Sequence, residues 1–180
     1  FIGKNLDWKD AICYDLVHND DIFQPKLERH IKDSELVIHL AALVDVQESF
    51  KCPQDYFYTN VLGTARIAQL CMKYNKKLIY LSTAAVKEPD SSPYAYSKWI
   101  AEKIVRKVPH AVILRAYNIY GKEATKGVIY EFSKQDKIQI NGDGYQVRDF
   151  LNVKDLVEII KASFKWEGLI EVGTGRKTKI

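Results

Sequence analysis

Short apolar runs alternate with longer segments of helical periodicity along this chain. Four runs predict buried strands: Ala11 to Tyr14, Leu36 to Leu40, Lys77 to Leu81 and Ala111 to Leu114. Between the second and third runs, Pro53 to Tyr74 places its apolar side chains on one helical stripe. Tyr94 to Val108 does the same between the third and fourth runs. Strands that alternate with helices in this way predict a parallel sheet with crossover helices.

The last third of the chain continues the alternation. Asp155 to Phe164 has helical spacing of its apolar residues, and Leu169 to Val172 is a further short strand before a Gly173-Thr174-Gly175 turn. The sequence contains no internal repeat and no linker. We therefore expect an α/β fold with a doubly wound, Rossmann-like parallel sheet, in which ligands bind at the carboxyl ends of the strands.

Length and composition narrow the class of protein. The 180 residues, 47% of them hydrophobic and 28% charged, predict one domain over residues 1–180 and exclude a second full domain. No run approaches the about 18 consecutive apolar residues of a membrane span, so we expect no membrane partner. The 27 basic and 23 acidic residues give a net charge of +4. The basic residues are scattered, which does not favour nucleic-acid binding.

Three cysteines indicate the redox environment. Cys13, Cys52 and Cys71 are odd in number and lack a Cys-x-x-Cys spacing. This pattern predicts buried, reduced side chains and no metal site. It is typical of a reducing compartment, so we expect a cytoplasmic protein.

The residues with the clearest chemistry follow the strand that begins at Lys77. Ser82 and Thr83 come at its carboxyl end, and Tyr94 and Lys98 are four residues apart on one predicted helix face. A nearby ammonium favours the phenolate form of a tyrosine, and a hydroxyl beside it can orient the proton of a substrate. The same spacing also arises by chance on surface helices. The hydroxyls at the strand end favour a trio that deprotonates an alcohol.

Several blocks in a fixed order resemble the extended short-chain dehydrogenases/reductases, specifically their NAD-dependent nucleotide-sugar epimerase/dehydratase group. The blocks are Phe1 to Gly3, Cys13 to Leu16, His39 to Ala42, Tyr58 to Thr64, Leu81 to Val86, Ser92 to Lys98, Leu114 to Gly121, Asn141 to Gly144 and Arg148 to Phe150. Each block is a weak signal, and Asn141 to Gly144 is ordinary turn chemistry. Their joint order is specific and covers almost the whole chain.

The resemblance implies an NAD cofactor, although it does not separate NAD from NADP. The cofactor-binding residues that it assigns are Phe1, Ile2, Gly3, Asp15, Leu16, Leu40, Ala41, Ala42, Tyr94, Lys98 and Tyr117. In this assignment the glycine lets the backbone approach the pyrophosphate and Asp15 meets the adenine. Tyr117 forms a wall of the nicotinamide pocket, with core packing as the alternative.

The resemblance also assigns catalytic and substrate-binding residues. The catalytic set is Asn60, Thr83, Tyr94 and Lys98, and the substrate contacts are Thr83, Asn118 and Arg148. For Asn60 the alternatives to the favoured catalytic role are a helix cap and a satisfied core amide. Arg148 would meet the nucleotide diphosphate or pair with Asp149 or Asp155. We interpret His39 as a structural histidine.

The residues after Thr83 discriminate between the reactions of the group. Its 4,6-dehydratases carry an Asp-Glu pair there, whereas this chain has Ala84 and Ala85, which cannot transfer a proton. The resemblance therefore implies an NAD-dependent 4-epimerase of the UDP-glucose/UDP-galactose type. In that reaction Lys98 lowers the pKa of Tyr94, and a hydride leaves C4 and returns to the opposite face of the sugar.

Two other classes of function remain open. One is a non-catalytic nucleotide-binding fragment or module, and the other is an NAD(P)-dependent sugar-nucleotide reductase or decarboxylase. The group also commonly forms homodimers through two helices, which here include Asn60 to Tyr74 and Tyr94 to Val108. We expect the same packing.

Departures from the pattern of the group concern missing segments. The first strand and the leading glycines of the phosphate-binding fingerprint are absent, and the segments Lys4 to Asp10 and Val86 to Ser92 are short. The sequence also stops soon after Gly173. We expect an incomplete copy of a longer protein, lacking the first strand and part of the substrate side, with substrate-side segments around residues 117–150 and an incomplete C-terminus.

Overall fold

A four-stranded parallel sheet forms the centre of the computed structural model, which describes residues 1–140 and 142–180. The strands in chain order are β1 (Leu36–His39), β2 (Lys77–Thr83), β3 (Val112–Ala116), β4 (Asn118–Tyr120), β5 (Val147–Arg148), β6 (Phe150–Asn152), β7 (Gly168–Val172) and β8 (Thr178–Lys179). The central sheet has the order β1-β2-β3-β7, with every pairing parallel. Two small sheets pair β4 with β6 and β5 with β8. Asn141, the first residue of one predicted block, lies outside the described residues.

Helices cover both faces of the sheet, which confirms the predicted doubly wound α/β fold. The α-helices are α1 (Ile2–Asn5), α2 (Lys26–Asp33), α3 (Val46–Lys51), α4 (Pro53–Tyr56), α5 (Thr64–Lys73), α6 (Pro93–Val105), α7 (Val128–Ser133) and α8 (Val153–Ala162). Helices α5 and α6 pack on one face and α8 packs on the other. Within the described part of the chain, no helix is both long and apolar enough to cross a membrane.

The packing of the core explains why the strands appear in the sequence as continuous apolar runs. Leu78 and Ile113 point to the α5/α6 face, while Ile79, Leu114 and Ile160 of α8 form the opposite layer. Because both faces of the sheet are covered, successive residues on the inner strands β2 and β3 are mostly buried. On β2 this face changes from the apolar Leu78 to the polar Ser82, which is hydrogen-bonded to Glu102 of α6.

The segment Ala11 to Tyr14 is not a strand, so that prediction is wrong. Ala11, Ile12 and Cys13 are exposed, and Tyr14 packs edge-on against the ring of His30 with centroids 5.6 Å apart. A strand requires a partner for its backbone groups, and among the described residues β2 is the strand that pairs with β1. The exposed Cys13 also contradicts the expectation that the cysteines are buried, whereas Cys71 meets it and Cys52 is half-buried.

The helical stripe from Pro53 to Tyr74 is divided into three parts. A π-helix, Phe57–Gly63, lies between α4 and α5 and contains Asn60. A π turn holds one more residue than an α turn, and such turns often occur at functional sites. Gly63 ends the π-helix against Ile22, where a methyl group would overlap the isoleucine side chain.

Candidate active site

The start of α6 fixes the position of Tyr94. Ser92 is the N-cap, and its Oγ accepts a hydrogen bond of 3.1 Å from the Ala95 amide, while Pro93 occupies the first helical turn. Tyr94 is therefore held rigidly beside the carboxyl end of β2. Burial raises the pKa of the Tyr94 phenol, and its hydrogen bond with the Thr83 side chain opposes that rise.

Thr83 is fixed by the turn that follows it. It is the last residue of β2, and its Oγ1 accepts a hydrogen bond of 3.3 Å from the Ala85 amide. This bond caps a 3-10 turn over Ala84–Lys87. The hydroxyl is thus oriented by the local backbone and lies against Tyr94.

Lys98 is almost completely buried, with 4% of its surface exposed. Its Nζ donates a 2.8 Å hydrogen bond to the Leu81 carbonyl and lies 4.2 Å from the ring centroid of Tyr80. Burial lowers the pKa of Lys98 to about 7, although the Glu102 carboxylate opposes the shift. The structure thus brings Thr83, Tyr94 and Lys98 to one end of β2, with the ammonium bound to the strand. Their catalytic role stays a prediction.

Asn60 uses its whole amide in contacts with the protein. Its Oδ1 accepts a 2.9 Å hydrogen bond from the Leu43 amide, and its Nδ2 donates to the Leu43 carbonyl at 2.9 Å and to Ser97 Oγ at 3.0 Å. The side chain therefore ties the loop after β1 to α6. This is the geometry of a satisfied core amide, next to Tyr94, and a substrate contact by Asn60 stays a prediction.

The first residues of the chain lie beside the end of β1. Ile2 packs in the core layer that contains Leu40, whose Cδ1 is 3.9 Å from where a Cβ on Gly3 would stand. The Phe1 ring comes within 3.1 Å of the corresponding position on Gly121. Ala41 and Ala42 continue from Leu40 as a loop of small side chains. These residues form one neighbourhood, as a shared ligand would require.

Asp15 and Leu16 lie on an exposed 3-10 turn, Leu16–His18. The Asp15 carboxylate caps this turn by accepting a 3.1 Å hydrogen bond from the Val17 amide, and Leu16 is 69% exposed. The contact of Asp15 is therefore local. The predicted adenine contact of these two residues stays a prediction.

Tyr117 joins the turn after Thr83 to β7. Its hydroxyl accepts a 2.5 Å hydrogen bond from Lys87 Nζ and donates one of 3.0 Å to Glu171 Oε2. Lys87 and Glu171 also form an ion pair of 3.0 Å. Tyr117 is thus held in place by polar contacts as well as by packing.

Two of the three predicted substrate contacts, Asn118 and Arg148, are exposed. Asn118 donates from Nδ2 to the Asp149 carbonyl at 3.1 Å. Arg148 donates from Nη1 to the Val147 carbonyl at 3.0 Å, and among the described residues neither Asp149 nor Asp155 forms an ion pair with it. The surface-pairing alternative for Arg148 is therefore not the observed arrangement.

Asp149 is a structural anchor whose role the sequence analysis missed. Its Oδ1 accepts hydrogen bonds from the Thr174 amide at 2.9 Å and hydroxyl at 2.6 Å, and its Oδ2 accepts one of 2.8 Å from the Gly175 amide. Burial raises the pKa of Asp149, but these hydrogen bonds outweigh it and leave the pKa below its usual value. A Cβ on Gly173 would lie 2.5 Å from Asp149 Oδ2. The signal in the sequence that could have identified Asp149 was its place in the Arg148 to Phe150 block, which resembles the family.

Glu102 was also missed. Glu102 is 1% exposed and lies one helical turn beyond Lys98, on the same face of α6 as Tyr94 and Lys98. The spacing of four residues from Tyr94 to Lys98 and again to Glu102 was the signal in the sequence. His39, in contrast, is a buried structural histidine as interpreted, with Nε2 2.9 Å from Thr64 Oγ1.

The residues at the end of β2 fit the nicotinamide half of NAD. A phenol, a hydroxyl and an ammonium lie together there, and the small side chains of Ala41 and Ala42 follow the neighbouring strand β1. The pyrophosphate would meet Phe1 to Gly3, while Asp15, which the resemblance assigns to the adenine, caps its own turn. Across residues 1–140 and 142–180, no cluster of three or more His, Cys, Asp or Glu side chains is arranged to hold a metal ion.

Comparison with known families agrees with this geometry. The model of the NAD dependent epimerase/dehydratase family matches residues 15–167. The chain belongs to this family. The match includes β1, β2, β3 and α6, and therefore the whole Thr83, Tyr94 and Lys98 cluster.

The relatives of this chain carry the names of different reactions. A Methanocaldococcus jannaschii protein with a provisional UDP-glucose 4-epimerase name is 33% identical over 90% of this chain and 63% of its own length. A dTDP-D-glucose 4,6-dehydratase of Dictyostelium discoideum is 30% identical over 78% of this chain and 41% of its own length. The family therefore spans epimerases and dehydratases.

Solved structures give the same picture of the fold. The UDP-glucose 4-epimerase of Thermus thermophilus, in complex with NAD, superposes with a TM-score of 0.77 and 27% identity. The superposition covers 88% of this chain and 63% of that one. The chain thus spans less than two thirds of the length of these relatives.

Replacing Asn60 by alanine is expected to destabilise the fold by about 2–3 kcal/mol, because three buried hydrogen bonds are lost. Urea unfolding measures this loss, and the Leu43 amide should exchange faster in hydrogen-exchange experiments. The exposed Asn118→Ala is the matched control, expected to cost below about 0.5 kcal/mol. An Asn60→Ala variant as stable as that control would contradict the anchoring role.

Lys98 should make stability depend on pH. Its pKa is about 7 in the folded chain against 10.5 in a free lysine, so the unfolded state binds more protons between these values. The free energy of unfolding should therefore rise with pH from about 7 toward 10, by at most about 1.4 kcal/mol per pH unit. Denaturation experiments across this pH range should show no such rise in the free energy of unfolding for Lys98→Met. The exposed Lys103→Met should keep the rise. An identical pH profile for Lys98→Met and the unmodified chain would show that Lys98 is not buried as a weak base.

Proposed function

We propose that this protein is an NAD-dependent nucleotide-sugar 4-epimerase of the UDP-glucose/UDP-galactose type. The observation that carries the proposal is the cluster of Thr83, Tyr94 and Lys98 at one end of β2, followed directly by Ala84 and Ala85. Membership of the family supports the use of NAD. The relatives named as 4-epimerases support the reaction.

The chain's own residues supply proton transfer and positioning. The Tyr94 oxygen takes the proton of the sugar 4-hydroxyl and returns it, while the Thr83 hydroxyl orients that group. The Lys98 ammonium holds the ribose beside the nicotinamide and favours the ionised phenol once the site is filled. When bound, NAD supplies reversible acceptance of a hydride from the sugar.

Burial sets a condition on this chemistry. Without ligand the pKa of Tyr94 is raised, so the phenol keeps its proton at neutral pH. Ionisation then depends on positive charge near the oxygen, and Lys98 is the cation on the same helix face. In the proposed reaction, protonated Lys98 supplies this charge once the ligands are bound.

The turn after Thr83 argues against a dehydratase. Elimination of water needs a further acid and base beside the hexose, and the side chains of Ala84 and Ala85 cannot supply them. Lys87, which ends this turn, is already bound to Tyr117 and Glu171. A simple oxidation and reduction at one carbon requires no additional proton donor.

Binding of the UDP-sugar would use the exposed residues beyond the cluster. Asn118 would contact the sugar nucleotide and Arg148 its diphosphate, because a planar guanidinium matches phosphate oxygens. The NAD half of the cleft would use the neighbourhood of Phe1 to Gly3 and Leu40 to Ala42, with Asp15, Leu16 and Tyr117.

A homodimer would bury an exposed apolar surface on the helices. Large side chains that remain exposed there are Phe50, Tyr58, Leu62, Met72 and Tyr96. An apolar patch of this kind on a monomer marks an interaction site. We also propose a cytoplasmic location, because all three cysteines are free thiols, as is usual in a reducing compartment.

Incubation with UDP-galactose and NAD tests the reaction. Interconversion with UDP-glucose and no net NADH is expected, and Tyr94→Phe should lower turnover by about 100-fold or more while NAD binding stays nearly intact. Tyr96→Phe, two residues along the same helix, is the matched control and should keep activity. Net NADH turnover would indicate a reductase or decarboxylase, failure to bind NAD would indicate a non-catalytic module, and an active Tyr94→Phe would exclude the mechanism.

The dimer is tested by a charge on its apolar surface. Leu62, which is 54% exposed, is replaced by Lys, and the mass in solution is measured by sedimentation. The unmodified chain should sediment as a dimer and Leu62→Lys as a monomer, because a charge without a partner opposes burial. Leu16→Lys, at a 69% exposed position away from these helices, should remain dimeric. A monomeric unmodified chain would refute the proposal.

A further inference from the structure

Glu102 is the most completely buried carboxylate near the candidate active site, with 1% of its surface exposed. Its Oε1 accepts hydrogen bonds from Ser82 Oγ at 2.6 Å and from Arg115 Nε at 2.9 Å, and its Oε2 accepts one of 2.8 Å from Arg115 Nη2. The two-point pairing with the guanidinium fixes the orientation of the carboxylate. Glu102 is thus a rigid negative charge inside the protein.

The same strand that holds Glu102 also holds Lys98. Lys98 lies over Tyr80 and donates to the Leu81 carbonyl, and Ser82 donates to Glu102. Three consecutive residues of β2 therefore bind two opposite charges that are one helical turn apart on α6. Because residues four apart on a helix are neighbours, the carboxylate and the ammonium face the same part of the strand.

The surroundings of Lys98 contain no other full negative charge among the described residues that contact it. From β2 it meets a carbonyl and the ring of Tyr80, and Tyr94, one turn earlier on its own helix, keeps its proton. From β1 the nearby His39 is neutral, since burial and the charge of Lys98 lower its pKa to about 3. A dipole and a ring face stabilise a buried ammonium less than a carboxylate does.

Arg115 does not fully neutralise the negative charge of Glu102. Its Nη1 also binds Glu171 Oε1 at 3.2 Å, and Glu171 in turn binds Lys87. The register places Ser82, Arg115 and Glu171 side by side on β2, β3 and β7. Positive and negative groups thus alternate from Lys98 to the surface, and Arg115 divides its charge between two carboxylates.

We propose that Glu102 is the counter-charge that favours the ammonium form of the buried Lys98 side chain and holds it on β2. In the reaction proposed above, on which its functional meaning rests, Glu102 is a positioning residue that acts on Tyr94 through Lys98. Even with Glu102 present, burial brings the pKa of Lys98 to about 7. Loss of the carboxylate would therefore leave most Lys98 side chains neutral at that pH.

The test is a direct titration of Lys98 by NMR. Lysine side chains are labelled with ¹⁵N and ¹³C, and the Lys98 signal is assigned as the one missing from Lys98→Met. In Glu102→Gln, which keeps the size of the side chain, the midpoint of the titration should fall by about one pH unit or more. A fall of one unit from a midpoint near 7 reduces the charged fraction at pH 7 from about half to about a tenth.

Glu171→Gln is the matched control. It also removes a carboxylate from Arg115, but on the side away from Lys98, so the midpoint should stay within about 0.3 pH units of the unmodified value. An unchanged midpoint in folded Glu102→Gln would overturn the proposal. An equal fall in both variants would overturn it too, because the effect would then follow from the loss of any carboxylate at Arg115.

A second pair of variants tests the proposal if Glu102→Gln does not fold. Arg115→Met is compared with the double variant Glu102→Gln/Arg115→Met, in which no buried guanidinium lacks its partner. The midpoint of Lys98 should again be lower when Glu102 is absent. Equal midpoints in this pair would overturn the proposal.

Activity separates this proposal from the proposed function. If the protein is an epimerase, the alkaline limb of its pH–kcat profile should move to lower pH in Glu102→Gln, together with the NMR midpoint. If no nucleotide sugar is turned over, the proposed function fails and the NMR titration still decides the role of Glu102. A shifted midpoint with an unshifted alkaline limb would overturn the positioning role in catalysis.

Discussion

The contact between α6 and β2 determines the geometry of the candidate site. Two buried polar contacts join them, from Lys98 to the Leu81 carbonyl and from Ser82 to Glu102. Apolar packing alone permits small sliding movements of a helix on a sheet, whereas directional hydrogen bonds one turn apart do not. Because Tyr94 belongs to α6 and Thr83 to β2, this fixed contact is what sets the phenol against the hydroxyl.

The parts of the fold that the sequence predicted are those with local causes. The strands β1, β2 and β3 are apolar on both faces because helices cover both faces, and this is visible in short runs of residues. The segment Ala11 to Tyr14 has the same apolar character, yet it is exposed coil. A strand depends on a neighbour, and apolar character does not reveal whether a neighbour exists.

In the candidate site, too, the features with local causes could be predicted from the sequence and the others could not. The placement of Tyr94 and Lys98 on one helix face follows from a spacing of four residues. The direction of the Lys98 ammonium does not, since it depends on Leu81 and Tyr80 of another element. Asp149 contacts Thr174, 25 residues later, and Glu102 contacts Ser82, 20 residues earlier. Partners this far apart in the chain are set by the fold, so single-sequence patterns do not identify them.

The Asn60 amide has a mechanical consequence. It engages both backbone groups of Leu43 in the manner of a neighbouring strand, and it also holds Ser97 of α6. The hydrogen bonds of this one side chain therefore join the loop after β1, the π-helix and α6. Any separation of the loop after β1 from α6 would have to break these bonds.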